Sequence, residues 1–172
     1  AATTWNPDAN TTVRCVKRIG TTVYVGGDFA TIGGQSRSFL ASLNPTNGNA
    51  LNWNPKPDGP VYELKQDNLD VVAIGYFTFL NSEARSNLMA VSKSTGLITS
   101  WNPSPNSGVE TMEMNGTNAY IGGYFTSIGG QPRNYIAEIS LTTGNGTTWN
   151  PDASSVVRAI KRFGSTVYVG GS

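Results

Sequence analysis

The side chains able to do chemistry are few in this sequence, and the most conspicuous of them recur. Arg37, Arg85 and Arg133 stand 48 residues apart. A guanidinium at one place in every repeat can pair with a neighbouring carbonyl or carboxylate and lock adjacent blades, or it can join a ring of anion-binding guanidiniums. The structural use is the preferred reading. Gln35, Asp58, Glu83, Gln131 and Asp152 fall near the arginines, but the carboxylates are too scattered to nominate a glycosidase pair. Histidine is absent, which removes the commonest general base and metal ligand. The single cysteine, Cys15, excludes an intrachain disulfide; its equivalents one, two and three repeats on are Glu63, Thr111 and Ala159, so the position requires no thiol and Cys15 reads as an inert small side chain. No Asp-x-Asp-x-Asp calcium loop occurs. Gly-Gly-Gln at 33–35 and 129–131 lacks the Lys-Ser/Thr and helix of a phosphate loop. The sequence therefore assigns no catalytic, cofactor-binding or metal-ligating residue, and the expectation is a protein that is not an enzyme.

Charge narrows the partners. The net charge is +1 with 13% charged residues, and no basic run exceeds Lys17-Arg18 or Lys161-Arg162. That is too dilute for a nucleic-acid partner. No apolar stretch approaches the ~18 residues of a membrane span, so no membrane insertion is expected, and nothing at the start reads as a signal peptide. Asn10, Asn115 and Asn145 fit the glycosylation sequon, which an Asn- and Thr-rich composition supplies by itself.

The elements that position these residues follow from one period. Trp5, Trp53, Trp101 and Trp149 are 48 apart, and each opens Trp-Asn-Pro. Val13, Val61, Val109 and Val157 keep the same step, as do Gly27, Gly75, Gly123 and Gly171. Each unit holds four short β candidates between Gly, Asn and Pro turns: A (156–163), B (166–169), C (134–141) and D (147–150) in the best-marked stretch. Four strands in a period of about 40–50 residues mark a propeller blade; a β-solenoid, with coils of about 20–30 residues, is the lesser reading. We thus expect an all-β propeller of 48-residue four-stranded blades. The single repeat domain 1–172 divides into a terminal strand D (1–7, with Thr3 to Asn6 as its core), blades at 8–55, 56–103 and 104–151, and a partial blade of A and B at 152–172. Residues present in every unit are scaffold. The tryptophans lay flat surfaces between sheets, and Gly27 with its equivalents allows a positive φ or a close backbone approach at the end of B.

The stretches 167–171 (VYVGG) and 120–137 (YIGGYFTSIGGQPRNYIA) resemble the bacterial delta-sixty-type β-propeller repeats, mostly uncharacterised units of large secreted or surface proteins. The resemblance covers essentially the whole chain. It implies a propeller and an extracellular or cell-surface setting, and it carries over no catalytic residue. Thr143-Gly144 followed by Trp149 is similar to the Thr-Gly…Trp element of quinoprotein propellers, but Trp lies five residues after Gly here rather than four, and no cofactor is implied.

Function on a pseudo-symmetric scaffold is sought where symmetry breaks. The second unit departs most, at Lys56-Pro57-Asp58-Gly59-Pro60, Asn68-Leu69-Asp70 and Asn81-Ser82-Glu83. Strand alternation puts the B–C and D–A loops on one face, so Gln35, Arg37, Asp58, Glu83, Arg85, Gln131, Arg133 and Asp152 form the candidate ligand or interaction face. Lys17, Glu63, Lys65, Glu113 and Lys161 are candidates to line a central channel. Three blades plus fragments leave open sheet edges, which invite pairing. The readings are a segment of a longer propeller, a dimer in which the N-terminal D of one copy joins the A–B pair of the other, or a cramped four-blade ring in which the chain's own D closes on its own A–B. The expected function is a non-enzymatic structural or interaction module of an extracellular or cell-surface bacterial protein, completed by a second copy of itself or by further repeats. A carbohydrate-binding propeller with a glycan partner is the alternative, and a propeller hydrolase or lyase a weaker one.

Overall fold

The computed structural model describes residues 4–67 and 70–172. Thr3 of the expected terminal strand and Asn68-Leu69 of the second unit's turn lie outside the described residues. Five β elements recur in each full period. The first set is β1 (Val13–Ile19), β2 (Thr22–Gly27), β3 (Thr31–Ile32), β4 (Gln35–Ser36) and β5 (Leu40–Leu43). The second is β6 (Val61–Gln66), β7 (Asp70–Gly75), β8 (Phe79–Leu80), β9 (Glu83–Ala84) and β10 (Leu88–Ser92). The third is β11 (Val109–Asn115), β12 (Asn118–Gly123), β13 (Ser127–Ile128), β14 (Gln131–Pro132) and β15 (Ile136–Ser140). A last hairpin, β16 (Val157–Phe163) and β17 (Thr166–Gly171), repeats the first two elements. No helix occurs among the described residues.

Each period forms an antiparallel three-stranded sheet, β1-β2-β5, β6-β7-β10 and β11-β12-β15. The fourth strand D of the expected blade is not a ladder strand. Its segment touches strand C through single bridges, Leu43–Ala50, Val91–Ile98 and Ile139–Gly146, and then leaves. Trp-Asn-Pro explains this, because Pro donates nothing to a ladder. A second departure is the small hairpin between B and C (β3-β4, β8-β9, β13-β14), where the sequence suggested a loop. Gly33 and Gly34 turn the first of these with φ of 61° and 73°, the left-handed conformation a tight two-residue hairpin demands.

The A strands share a bulge. Register slips between Val13 and Cys15, Val61 and Glu63, Val109 and Thr111, and Val157 and Ala159. An extra residue turns two side chains three apart onto one face, so Val61 and Leu64 point together, as do Val157 and Ile160. The B strands of the three full sets are buried on both faces, as from Val23 to Gly27 and from Ala119 to Gly123, which is why they read as continuous apolar runs.

Contacts divide the chain into two compact units, Ala1–Ala84 with Ala90–Ile98, and Arg85–Met89 with Thr99–Ser172. The first has a core of Val23, Val25, Phe29, Ile32, Ala41 and Leu43, with Trp5, Ala9 and Ala50 against it. The second gathers Tyr120, Ile136, Val157 and Ile160, with Tyr135, Trp149, Ala153 and Val167.

Candidate functional site

The residues around the small hairpins make up the candidate face, and several of their polar atoms are committed to the frame. Asp58 Oδ1 accepts from the N–H of Thr78 and of Phe79 at 2.8 and 2.9 Å, and Oδ2 accepts from the Thr78 hydroxyl at 2.6 Å. Asn10 Oδ1 does the same for Ala30 and Thr31, and Asn106 Oδ1 for Thr126 and Ser127, in each case 20 and 21 residues on. Asp58 therefore occupies a capping position that asparagine fills in the first and third repeats. Burial alone would push its carboxyl up, but the N–H of Phe79, the hydroxyl and N–H of Thr78 and its own N–H outweigh that and hold it below its ordinary value. Sequence reasoning missed this cap; the signal was a recurring Asn/Asp three residues after the Trp-Asn-Pro proline.

The three arginines are also alike. Arg37 Nη2 donates to the Leu51 carbonyl at 2.9 Å, Arg85 Nη2 to Thr99 at 3.1 Å and Arg133 Nη2 to Thr147 at 2.6 Å, always 14 residues on. Arg37 Nη1 and Arg133 Nη1 also donate to the preceding residue's carbonyl. Each guanidinium thus pins the D segment to the hairpin side of its own repeat, where the sequence suggested a lock between adjacent blades, and all three are half-buried. A D segment held by one bridge needs such a tie. Gln35, Glu83 and Gln131 are exposed on the hairpins, and Asp152 accepts from the Asn134 amide at 2.9 Å.

The remaining candidates sit in the scaffold. Trp5, Trp53 and Trp101 donate Nε1 to the carbonyls of Asn44, Ser92 and Ser140, each 39 residues ahead. Trp53 meets the Tyr24 ring edge-on at 4.9 Å, and Trp149 meets Tyr120 at 4.9 Å. Trp53 and Trp101 are buried, and Trp5 and Trp149 half-buried. A Cβ on Gly27, Gly75, Gly123 or Gly171 would strike the carbonyl oxygen of Thr12, Pro60, Gly108 or Val156. Of the two alternatives read from sequence, close approach is the one seen: none of the four has a positive φ. Of the channel candidates, Glu63 pairs with Lys65 at 2.7 Å, and Glu113 with Lys161 at 2.6 Å. The Cys15 thiol is pushed up to about 11, first by burial.

Two polar–aromatic clusters were not read from sequence. Arg14 forks onto Asp28 at 2.7 and 2.8 Å and lies over the Tyr62 ring at 4.7 Å, and Tyr62 meets Tyr76 edge-on at 5.3 Å. In the second unit Arg158 lies over Tyr124 and donates to its hydroxyl at 2.9 Å. Where the second repeat breaks the pattern, Lys56, Asp58, Phe79, Asn81 and Ser82 line an open depression of about 520 Å³. Asn81 and Ser82 stand there at φ of 46° and 73°, where Gly33-Gly34 and Gly129-Gly130 stand in the other repeats. Among the described residues no three acids or cysteines come together in a metal-binding group, and no helix is long and apolar enough to cross a membrane.

Repeated antiparallel sheets, with no helix among the described residues, define an all-β repeat protein, and the comparisons give the kind of repeat. Residues 22–50 and 120–141 match a family model described as a β-propeller domain of unknown function (DUF5122). The chain is similar in structure to the computationally designed Ika4 protein, with a TM-score of 0.64 at 14% identity over 96% of this chain and 88% of that one. It is similar also to the designed Ika8 protein, with a TM-score of 0.58 at 15% identity over 92% of this chain and 42% of that one. At such identities the likeness concerns the fold alone. No curated protein matches the chain.

Proposed function

We propose that this chain is a non-enzymatic scaffold module, a set of delta-sixty-type propeller blades from an extracellular or cell-surface bacterial protein, and that its work is to present and join surfaces. The observation that carries this reading is the commitment of the recurring polar groups. Each arginine ties a D segment, Asp58 caps a hairpin as asparagine does elsewhere, and Glu63 and Glu113 are ion-paired. A general acid or base needs a group free to exchange a proton with substrate. The blades are three sheets and a further hairpin, completed by self-association or by further repeats.

The test is to replace the arginines singly with alanine. Each variant is expected to melt below the wild type, with no hydrolysis of chromogenic glycosides or esters by any of the proteins. Hydrolysis by the wild type that disappears in one variant at unchanged melting temperature would sink the reading.

A second reading, carbohydrate binding, is favoured by the depression beside Lys56, where Phe79 is 48% exposed. An exposed ring beside amide and hydroxyl groups suits a sugar face. A glycan array settles between the two: hits lost on Phe79→Ala support a lectin, and an empty array removes it.

A further inference from the structure

Within each unit, one repeat packs on the next through the same three contacts. In the first unit the Tyr24 ring meets Trp53, the backbone of Gly26 lies beneath Val61, and Leu64, 5% exposed, is sealed on the same face as Val61. In the second unit Tyr120 meets Trp149, Gly122 lies beneath Val157, and Ile160 is 7% exposed. The 48-residue step assigns each contact two halves, a Tyr-x-Gly on strand B and a Trp with two aliphatic residues on the following repeat.

Among the described residues both halves recur once more, each exposed to solvent. On the hairpin β16–β17, Tyr168 stands in the column of Tyr24 and Tyr120 and is 59% exposed. Gly170 stands in the column of Gly26 and Gly122, and a Cβ there would meet nothing within 4 Å. Phe163, paired with Thr166 and 80% exposed, extends the same face. On β1, Val13 and Val16 stand in the columns of Val61 and Leu64 and of Val157 and Ile160, and they are 39% and 60% exposed. Trp5 is only half-buried where Trp53 is buried. Large apolar residues gathered on one face mark an interaction surface.

We propose that the β16–β17 face binds the Trp5/Val13/Val16 face of a second copy of this chain, head to tail, by the contact already used between repeats. Tyr168 then covers the partner's Trp5, and Gly170 lets the partner's Val13 close on the strand. Such heterologous contacts build a ring when the rotation closes and a filament when it does not. The inference rests on the scaffold reading above and adds its partner and its surface.

The test is light scattering behind size exclusion, across a dilution series, on the wild type, Gly170→Ala and Val16→Asp, each checked by far-UV circular dichroism. The wild type is expected at two chain masses or more. Gly170→Ala places a methyl where the partner's valine must sit and is expected to run as one chain with an unchanged spectrum, as is Val16→Asp. An equimolar mixture of the two variants retains one good face on each copy and is expected to regain a two-chain species, which shows that neither variant has simply misfolded. A wild type of one chain mass at every concentration, or assemblies that persist in both variants, would overturn the proposal. A mixture that stays at one chain mass would do the same. Those outcomes leave the scaffold reading standing, since that reading falls only to hydrolysis tied to an arginine or to glycan hits tied to Phe79.

Discussion

Gly26→Ala should destabilise the chain although it adds only a methyl group. A Cβ built on Gly26 lies 2.6 Å from Cys15 Sγ and 2.6 Å from Val61 Cγ1. Ordinary contact is about 3.5–4.0 Å, so two atoms must each give by about 1 Å. Overpacking of that kind costs about 1–3 kcal/mol. The loss of unfolded-chain freedom on replacing glycine returns about 0.4–1 kcal/mol. The net expectation is a loss of about 1–2 kcal/mol, or a fall in melting temperature of about 2–8 °C for a chain of this size. Urea unfolding and a thermal scan followed by circular dichroism would measure it. The strand itself is not the obstacle, because Ile74 occupies the same column of β7 and is buried. Two controls isolate the cause. Cys15→Ala removes one of the two obstructing atoms, so the double variant should lose less than the singles sum to, with a coupling of about 0.5–2 kcal/mol. Gly170→Ala, in the same column with nothing over it, should cost the isolated chain nothing when measured too dilute to associate. If Gly26→Ala melts with the wild type, or if Gly170→Ala costs as much, the glycine column does not exist for the approach of the next repeat.

Asp58→Ala leaves the N–H groups of Thr78 and Phe79 to water and should cost about 0.5–2 kcal/mol, as the loss of a helix cap does; Asp58→Asn, which installs the residue found at positions 10 and 106, should be near neutral at pH 7. The folded carboxyl is held below its ordinary value, so its contribution is complete above the unfolded pKa of about 3.9 and is lost as pH falls through the folded value; urea midpoints of wild type and Asp58→Asn taken between pH 7 and pH 2 should stay parallel above about pH 5, and below about pH 4 the wild type should lose ground. With its thiol at about 11 against 9.0 unperturbed, Cys15 at pH 8 should hold about 100-fold less thiolate than an unfolded cysteine; a disulfide reagent should titrate it slowly in buffer and at once in denaturant, and fast reaction in buffer would contradict its burial.

The repeat, its turns and its β character were legible because they are properties of single residues at fixed steps. Gly20, Gly116 and Gly164 turn the A–B hairpins with φ near 60°, as the sequence punctuation suggests. The D strand was misjudged because Trp-Asn-Pro has a strand's composition, while its hydrogen bonding goes elsewhere. The indole donates to the next repeat's C strand and the proline donates nothing, so one bridge remains. The hairpin between B and C was hidden because two-residue strands carry no alternation to read. The arginines illustrate a different barrier. Their spacing was plain, but whether a guanidinium meets a carbonyl or an anion depends on where the chain 14 residues on has travelled. Tertiary register decides that.

The broken symmetry at the second repeat sets what a ligand there would meet. Asp58 brings a charge to the depression, but both of its oxygens already accept from Thr78 and Phe79, and asparagine does the same duty at Asn10 and Asn106. Its acidity is therefore not what distinguishes the site. What the other repeats lack is Lys56, an exposed cation in the column of Asp8, Ser104 and Asp152, together with the amide of Asn81 and the hydroxyl of Ser82 in place of two glycines. Phe79, also in the lining, supplies the flat apolar wall. A ligand here would meet donors above a ring, not a free carboxylate. That favours hydroxyl-rich or anionic groups over cations, and it makes Lys56, rather than Asp58, the side chain whose loss should decide whether anything binds.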